Sequence, residues 1–576
     1  LTHRDAPAAF EAALKAYEAS DWKAAHALAL ETLRLDPRHA PAMYLAGTLE
    51  LDTGDTTVAL PRLQTAAALA PAHPGVRRSL GMAYAALERW AEAADAYRQA
   101  LRLGPASAEI LADLGLALHQ LDDFDGALAA FRESLVVDPK NTDVYNNLAV
   151  TLNRKHDYEA AASAYESAIR LDPKNISALS NLAMLYEQMN RLEDAEATAA
   201  MGLRLAPDHD VLNLVAARCE RRRDEPEKAI ARLKRAIASP SADPRGKRGL
   251  HFELGRDYDL LGEIDAAFQH FSEGNRTAED IWPDMTAAGR GYLEEVGADI
   301  AGSDPESLQA LAARAASQSP HESPAFLVSF PRSGTTLMDT ILGAHPDVVV
   351  MEEEPPLHHV QQAVQQLHGT GPQALLRLSD TDLEDLRALY WTEADRYLGA
   401  RRHGARVVVD KNPFYSTRAA LIHLLFPEAR FVFAQRHPRA VILSCFMQPF
   451  GRNPALANFT SLQGSAELYQ RVMRLWLQSR KHLPLKVHEL RYEALVADKQ
   501  MKLRETLEFL DLPWDDRLSD HVSHARKRGR IYTPSYHQVS QPIYTDAVDR
   551  WRNYEKYLAE ISALVQPFVT EFGYDT

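Results

Sequence analysis

Ala325-Phe326-Leu327-Val328-Ser329-Phe330-Pro331-Arg332-Ser333-Gly334-Thr335-Thr336-Leu337 decides the fold of the second half of this chain. Ala325 to Phe330 is apolar but for one serine and reads as a buried strand. A short polar turn containing glycine follows, and a helical pattern starts behind it, over 335–344. A strand, a tight turn and a helix start together form a cradle for a tetrahedral anion. N–H groups at the helix N-terminus point at such a ligand, and the helix dipole favours its charge. Arg332 adds a cation, and Ser333, Gly334, Thr335 and Thr336 add hydroxyls and a compact backbone. The turn has no lysine of the G-x-x-x-x-G-K-[ST] type, which argues against phosphoryl transfer from a nucleoside triphosphate. An ordinary capped turn has the same local form, so the residues further along the chain decide between the two.

Downstream, short apolar runs recur at Arg406 to Val409, Arg430 to Ala434 and Leu485 to His488. Helical stretches separate them, one of them over 415–426. Strands alternating with helices predict a parallel α/β sheet. Polar clusters stand at or just after these runs: Asp410-Lys411-Asn412-Pro413-Phe414, then Arg436-His437-Pro438-Arg439-Ala440 with Ser444, then Arg491-Tyr492-Glu493. Glu352-Glu353-Glu354 lies between the first run and the second. Arg526-Lys527-Arg528-Gly529-Arg530 places four basic residues within five in an acidic protein. That suits a lid over a doubly anionic ligand, though a solvated charge run has the same composition.

In combination these motifs resemble the sulfotransferases that use 3′-phosphoadenosine-5′-phosphosulfate (PAPS). The resemblance spans roughly 323–576. It is closest to the tyrosylprotein sulfotransferases and to bacterial proteins that carry repeats before such a domain. It implies that Arg332 to Thr336 hold the 5′-phosphosulfate and that Glu353 is the catalytic base, with Glu352 and Glu354 as alternatives. It implies that Lys411 steadies the transferring group and that Arg436 and Ser444 bind the 3′-phosphate, where a guanidinium fork suits a phosphate. Tyr492 would contact the adenine, and Lys527, Arg528 and Ser535 would wrap the nucleotide; a packed aromatic after a strand is the plainer account of Tyr492. No metal is implied. There are departures: Gln448 and Gln541 stand where the tyrosylprotein enzymes are basic, and the cysteines that form disulfides in the secreted animal enzymes are absent.

The first half has a different period. Pro37, Pro71, Pro105, Pro139, Pro173 and Pro207 follow one another at intervals of 34 residues. Within a unit the apolar spacing is helical, as in Leu80, Gly81, Tyr84, Ala93, Tyr97 and Ala100 ahead of Pro105. Each proline stops a helix, because it has no N–H and clashes with the preceding turn. The pattern resembles the tetratricopeptide repeat, two antiparallel helices per unit stacked as a solenoid. A divergent unit stands at Leu254, Gly255, Tyr258 and Ala267. The predicted organisation is therefore a repeat array over 1–280, a helical connector over 281–322 and a P-loop-like α/β domain over 323–576. Asn147 and Asn181 occupy the same position in neighbouring units. They read either as a short ladder for an extended peptide backbone or as solvated polar residues, since Asp113 and Val215 interrupt the ladder on both sides.

The bulk properties agree with this division. A chain of 576 residues is too long for one ordinary core, and 46% apolar with 25% charged residues is usual for a globular protein. A net charge of −15 argues against a general nucleic-acid binder. No apolar run is long enough for a transmembrane helix. Two cysteines, Cys219 and Cys445, lack metal-ligand spacing and fit buried thiols in a reducing, cytoplasmic setting, with export left open by the non-Met start. The expected activity is sulfuryl transfer from PAPS to a hydroxyl, foremost a protein tyrosine. The alternatives are a lipid, saccharide or small phenol as acceptor, or a repeat scaffold with an inactive domain.

Overall fold

A computed structural model of the chain describes residues 5–240, 243–353, 356–520 and 546–575. By internal contacts it divides into two units, Leu1–Pro207 and Asp208–Thr576.

The first unit is a series of antiparallel helix pairs, from Ala6–Glu18 and Trp22–Leu35 to Ile176–Gln188 and Leu192–Leu205. The second helices end at Leu35, Leu69, Leu103, Val137, Leu171 and Leu205, each two residues before one of the periodic prolines. Small residues on the first helices let the second helices approach closely. A Cβ on Gly115 would lie 2.5 Å from the Phe131 ring, so a larger residue there would force the pair apart. The turn inside each pair needs a left-handed residue. Ser20, Gly54, Glu88, Asp122, His156 and Asn190 all have positive φ, again 34 residues apart, and Gly54 alone among them is a glycine. Side-chain caps such as Asp123 on the Gly126 N–H and Asn141 on the Val144 N–H start the helices.

In the second unit the pair pattern continues as Asp210–Arg222 with Pro226–Ala238, then Pro244–Leu260 with Ile264–Ile281. The last pair is longer, and Gly255 meets Phe271 as Gly115 meets Phe131. The predicted connector contains two helices, Met285–Gly302 and Pro305–Ala316, fastened to the sheet region. Arg418 pairs with Asp299 at 2.8 Å and with Glu295 at 2.9 Å. Among the described residues no helix is long and apolar enough to cross a membrane.

The sheet has five parallel strands: β1 (Ala325–Val328), β2 (Val348–Glu352), β3 (Val407–Lys411), β4 (Arg430–Gln435) and β5 (Lys486–Arg491), in the order β2-β3-β1-β4-β5. β1 is central and buried on both faces, as its unbroken apolar run requires. Four strands match the predicted runs. β2 has no counterpart among those runs, because Val348 to Met351 sits so close to the preceding helix that its run merges with that helix's apolar pattern. The chain leaves β1 toward the β2 edge and leaves β4 toward the β5 edge. Their outgoing connections diverge and open a crevice between the carboxyl ends of β1 and β4, the usual ligand position in such sheets.

Candidate active site

The loop after β1 enters that crevice. Ser329 holds it at its base: the Ser329 hydroxyl donates to the Ala434 carbonyl of β4, and Ser416 donates to the Ser329 carbonyl at 2.7 Å. Arg332 and Gly334 both have positive φ, 71° and 99°, so the chain curls tightly before the helix Thr335–Leu342 begins. The first N–H groups of that helix have no intrahelical acceptor, and Gly334, its N-cap, caps none of them with a side chain. Ser333, Thr335 and Thr336 are buried.

Residues that follow β4 meet this loop. Arg332 donates its Nε–H to Ser444 Oγ at 3.1 Å, and Arg436 donates to the Arg332 carbonyl at 3.2 Å. Residues 112 and 104 positions apart in sequence thus close one small arc across β1 and β4. Tyr492 packs against the loop, where a Cβ on Gly334 would lie 2.7 Å from its ring, so glycine is required there for space as well as for φ. The Arg436 guanidinium lies 4.7 Å from the centre of the same ring. Tyr492 is therefore held between Gly334 and Arg436, at the edge of the arc.

A second cluster stands at the carboxyl ends of β2 and β3. Lys411 is fully buried, and its Nζ lies 2.8 Å from Glu353, 3.2 Å from Asp339 and 3.5 Å from Glu352. Burial alone would lower the lysine's pKa, but the three carboxylates outweigh it and hold the pKa above its ordinary value. Glu353 has a φ of 56° and donates its backbone N–H to the Lys411 carbonyl at 2.8 Å. This unusual backbone turns its carboxylate outward, 48% exposed, against 11% for Glu352. Of Glu352 and Glu353, Glu353 is thus the more exposed. Glu354 lies outside the described residues, as do Lys527, Arg528 and Ser535.

Asp339 is the site residue that the sequence did not disclose. It is fully buried on the helix after the loop and braces Lys411 from beneath. The signal available was a lone acid in the apolar run Leu337-Met338-Asp339-Thr340-Ile341, which has to find a cation or a donor when buried.

Asn147 and Asn181 lie in the first unit, on the helices Thr142–Arg154 and Ile176–Gln188. Asn181 donates to Asn146 of the preceding pair at 3.1 Å, so this register joins 181 to 146.

Next to Arg436, His437 is buried, its ring stacked on Trp551 with ring centres 4.2 Å apart, and its backbone N–H donates to Glu493 at 2.8 Å. Burial pulls its pKa down to about 4. An unfolded histidine near ~6.5 takes up a proton that the folded one refuses. Its share of stability is therefore whole above about pH 6.5 and is lost as the pH falls toward 4. A loss on the order of 1–3 kcal/mol is expected across that window, and His437→Phe should flatten this part of a pH series of denaturant melts.

Comparisons with known proteins follow the same division. Residues 324–516 match the model of a sulfotransferase family. Tetratricopeptide repeat models match 10–76, 44–108, 78–142 and 112–176, and a further one matches 152–217. An uncharacterized protein of Aquifex aeolicus is 27% identical over 351 residues, 59% of this chain and 44% of that protein. Protein-tyrosine sulfotransferase 1 of Danio rerio is 26% identical over 261 residues, 43% of this chain and 72% of the fish protein. The human protein of the same name is 26% identical over 260 residues, 43% of this chain and 69% of its own length. The chain thus spans less than half of the Aquifex relative. Among solved structures, Pseudomonas aeruginosa pilF aligns with a TM-score of 0.31 at 18% identity, covering 34% of this chain and 89% of that one.

Proposed function

We propose that this chain, a sulfotransferase-family domain set C-terminal to tetratricopeptide repeats, moves a sulfuryl group from PAPS to an acceptor hydroxyl, foremost a tyrosine of a protein or peptide. The observation that carries the reading is the arc of Arg332, Ser444 and Arg436 across β1 and β4, next to the Lys411–Glu353 pair. It offers what a donor with phosphates at both ends of its nucleoside needs. The curled loop and helix start suit the 5′-phosphosulfate, Arg436 and Ser444 suit the 3′-phosphate, and Tyr492 supplies an aromatic face beside them.

The step is an in-line displacement. The acceptor oxygen forms a bond to sulfur as the bridging oxygen between sulfur and the 5′-phosphate leaves. The acceptor proton passes to Glu353. Loss of charge on Glu353 weakens its hold on Lys411, whose ammonium is then drawn to the charge gathering on the leaving oxygen. Arg332 and the loop N–H groups hold the remaining oxygens in a preorganised field. The names of the fish and human relatives support tyrosine as the acceptor, and the repeats support a protein acceptor, with Asn147 and Asn181 as contacts for its chain. Two buried thiols and no long apolar helix among the described residues support a cytoplasmic setting.

The test is nucleotide binding. Adenosine 3′,5′-bisphosphate, the product, should raise the melting temperature. A ligand at 100 times its dissociation constant adds about 2.7 kcal/mol to a folded state that alone binds it. ATP at equal concentration should add less. A melting curve unmoved by millimolar bisphosphate, or moved by ATP alone, overturns the proposal.

A further inference from the structure

The helix Pro244–Leu260 and its partner Ile264–Ile281 have the form of a repeat pair, yet they grip the segment just beyond Ser444. Asn275 donates to the Phe446 carbonyl at 2.8 Å, Arg248 to the Phe450 carbonyl at 2.9 Å, and Arg256 to Gln448 Oε1 at 3.1 Å. Gln448 stands one turn beyond Ser444, at the end of the helix Pro438–Phe446. All three donors thus bear on the turn that fixes the direction of the Ser444 helix.

Arg256 differs from the other two. It shares the Glu253 carboxylate with Arg218 at 2.8 Å and Arg221 at 2.7 Å, and Arg550 is also near it. Burial, helped by these three guanidiniums and opposed by Glu253, holds its pKa below the ordinary arginine value. Its side chain is 26% exposed, against 1% for Glu253. Arg218, Arg221 and Arg256 meet two carboxylates, Glu253 and Asp257, and Arg550 has its own partner in Asp259, so one positive charge is left over that an anion would relieve. Gln448, with its carbonyl oxygen taken by Arg256, keeps its NH2 group for another acceptor.

We propose that Arg256, although it stands on a repeat-type helix, belongs to the donor site. It orients Gln448 beside Ser444 and, with Arg332 and Arg436, selects a nucleotide that carries a second phosphate at the 3′ position. The inference rests on the sulfotransferase reading above. It makes the last repeat pair a working part of the nucleotide site.

The test compares dissociation constants of adenosine 3′,5′-bisphosphate and adenosine 5′-monophosphate, by calorimetry on the full chain, for wild type, Arg256→Met and Arg256→Lys. A charged hydrogen bond of about 1.5–3 kcal/mol corresponds to a loss of ~10- to 150-fold for the bisphosphate in Arg256→Met. The monophosphate should change by less than about threefold, and Arg256→Lys should recover part of the loss. Glu253 keeps Arg218 and Arg221 in either variant, so the fold has a reason to survive. Should Arg256→Met not fold, Gln448→Ala serves instead and should lose affinity for the bisphosphate selectively. Equal losses for both nucleotides, which a merely displaced turn would give, overturn the proposal, as does no loss at all. A wild-type protein that binds neither nucleotide overturns the donor reading itself, which is a different outcome.

Discussion

Lys411→Met is expected to abolish measurable sulfuryl transfer and to cost about 3–5 kcal/mol of stability, the usual penalty for removing one member of a buried ion cluster. The size of the effect follows from the surroundings. Asp339 is fully buried and Glu352 nearly so, and the ammonium lies within 3.5 Å of both. Without it, two carboxylates face each other and Glu353 with no cation between them. Denaturant melts should show the loss, and labelled-donor assays should show no product above background. The double variant Asp339→Asn, Lys411→Met removes the buried anion along with the cation. It should regain a large part of the stability and none of the turnover. A single variant as stable as wild type would mean that the four groups are not packed as described. A double variant with restored turnover would remove Lys411 from the chemistry.

Glu353→Gln is the second large effect. General-base catalysis contributes about 10²- to 10⁴-fold, and turnover should fall by that much. The Gln amide still reaches Lys411 through its oxygen, so folding should be little changed. The anion arc is built from other residues, and the shift in melting temperature with adenosine 3′,5′-bisphosphate should persist. This split, with binding kept and turnover lost, separates a base from a structural acid. Near-normal turnover would transfer the role to Glu352, Glu354 or His358.

The parts of this structure that the sequence discloses are the local ones. A proline every 34 residues marks helix ends because proline acts on its own turn, and the helix pairs end where those prolines predict. Ala325 to Leu337 reads as strand, loop and helix because each signal lies within a few residues of the others. The same holds for Arg436, just after β4, and Ser444, on the short helix that follows, eight residues apart in sequence. What is not legible depends on distant partners. Asp339 acquires meaning only beside Lys411, a residue 72 positions later. Arg256 acquires it only beside Gln448, which lies 192 residues away. The left-handed turns are not legible for another reason. Glutamate, aspartate, histidine and asparagine fill most of those positions, and no single residue type marks them. The strand order, with β1 between β3 and β4, is likewise a long-range fact, and it alone explains why Arg332 and Ser444 meet.

The central claim is that this crevice transfers a sulfuryl group. It is tested most directly by incubating the full chain and its Glu353→Gln variant with PAPS carrying labelled sulfur and a native protein extract, then locating the label by mass spectrometry. The account predicts label on hydroxyl oxygens of acceptors, foremost tyrosines, with wild type and a drop of at least about 100-fold with the variant. Label absent from every acceptor with wild type, under conditions in which the protein binds the donor, would contradict it.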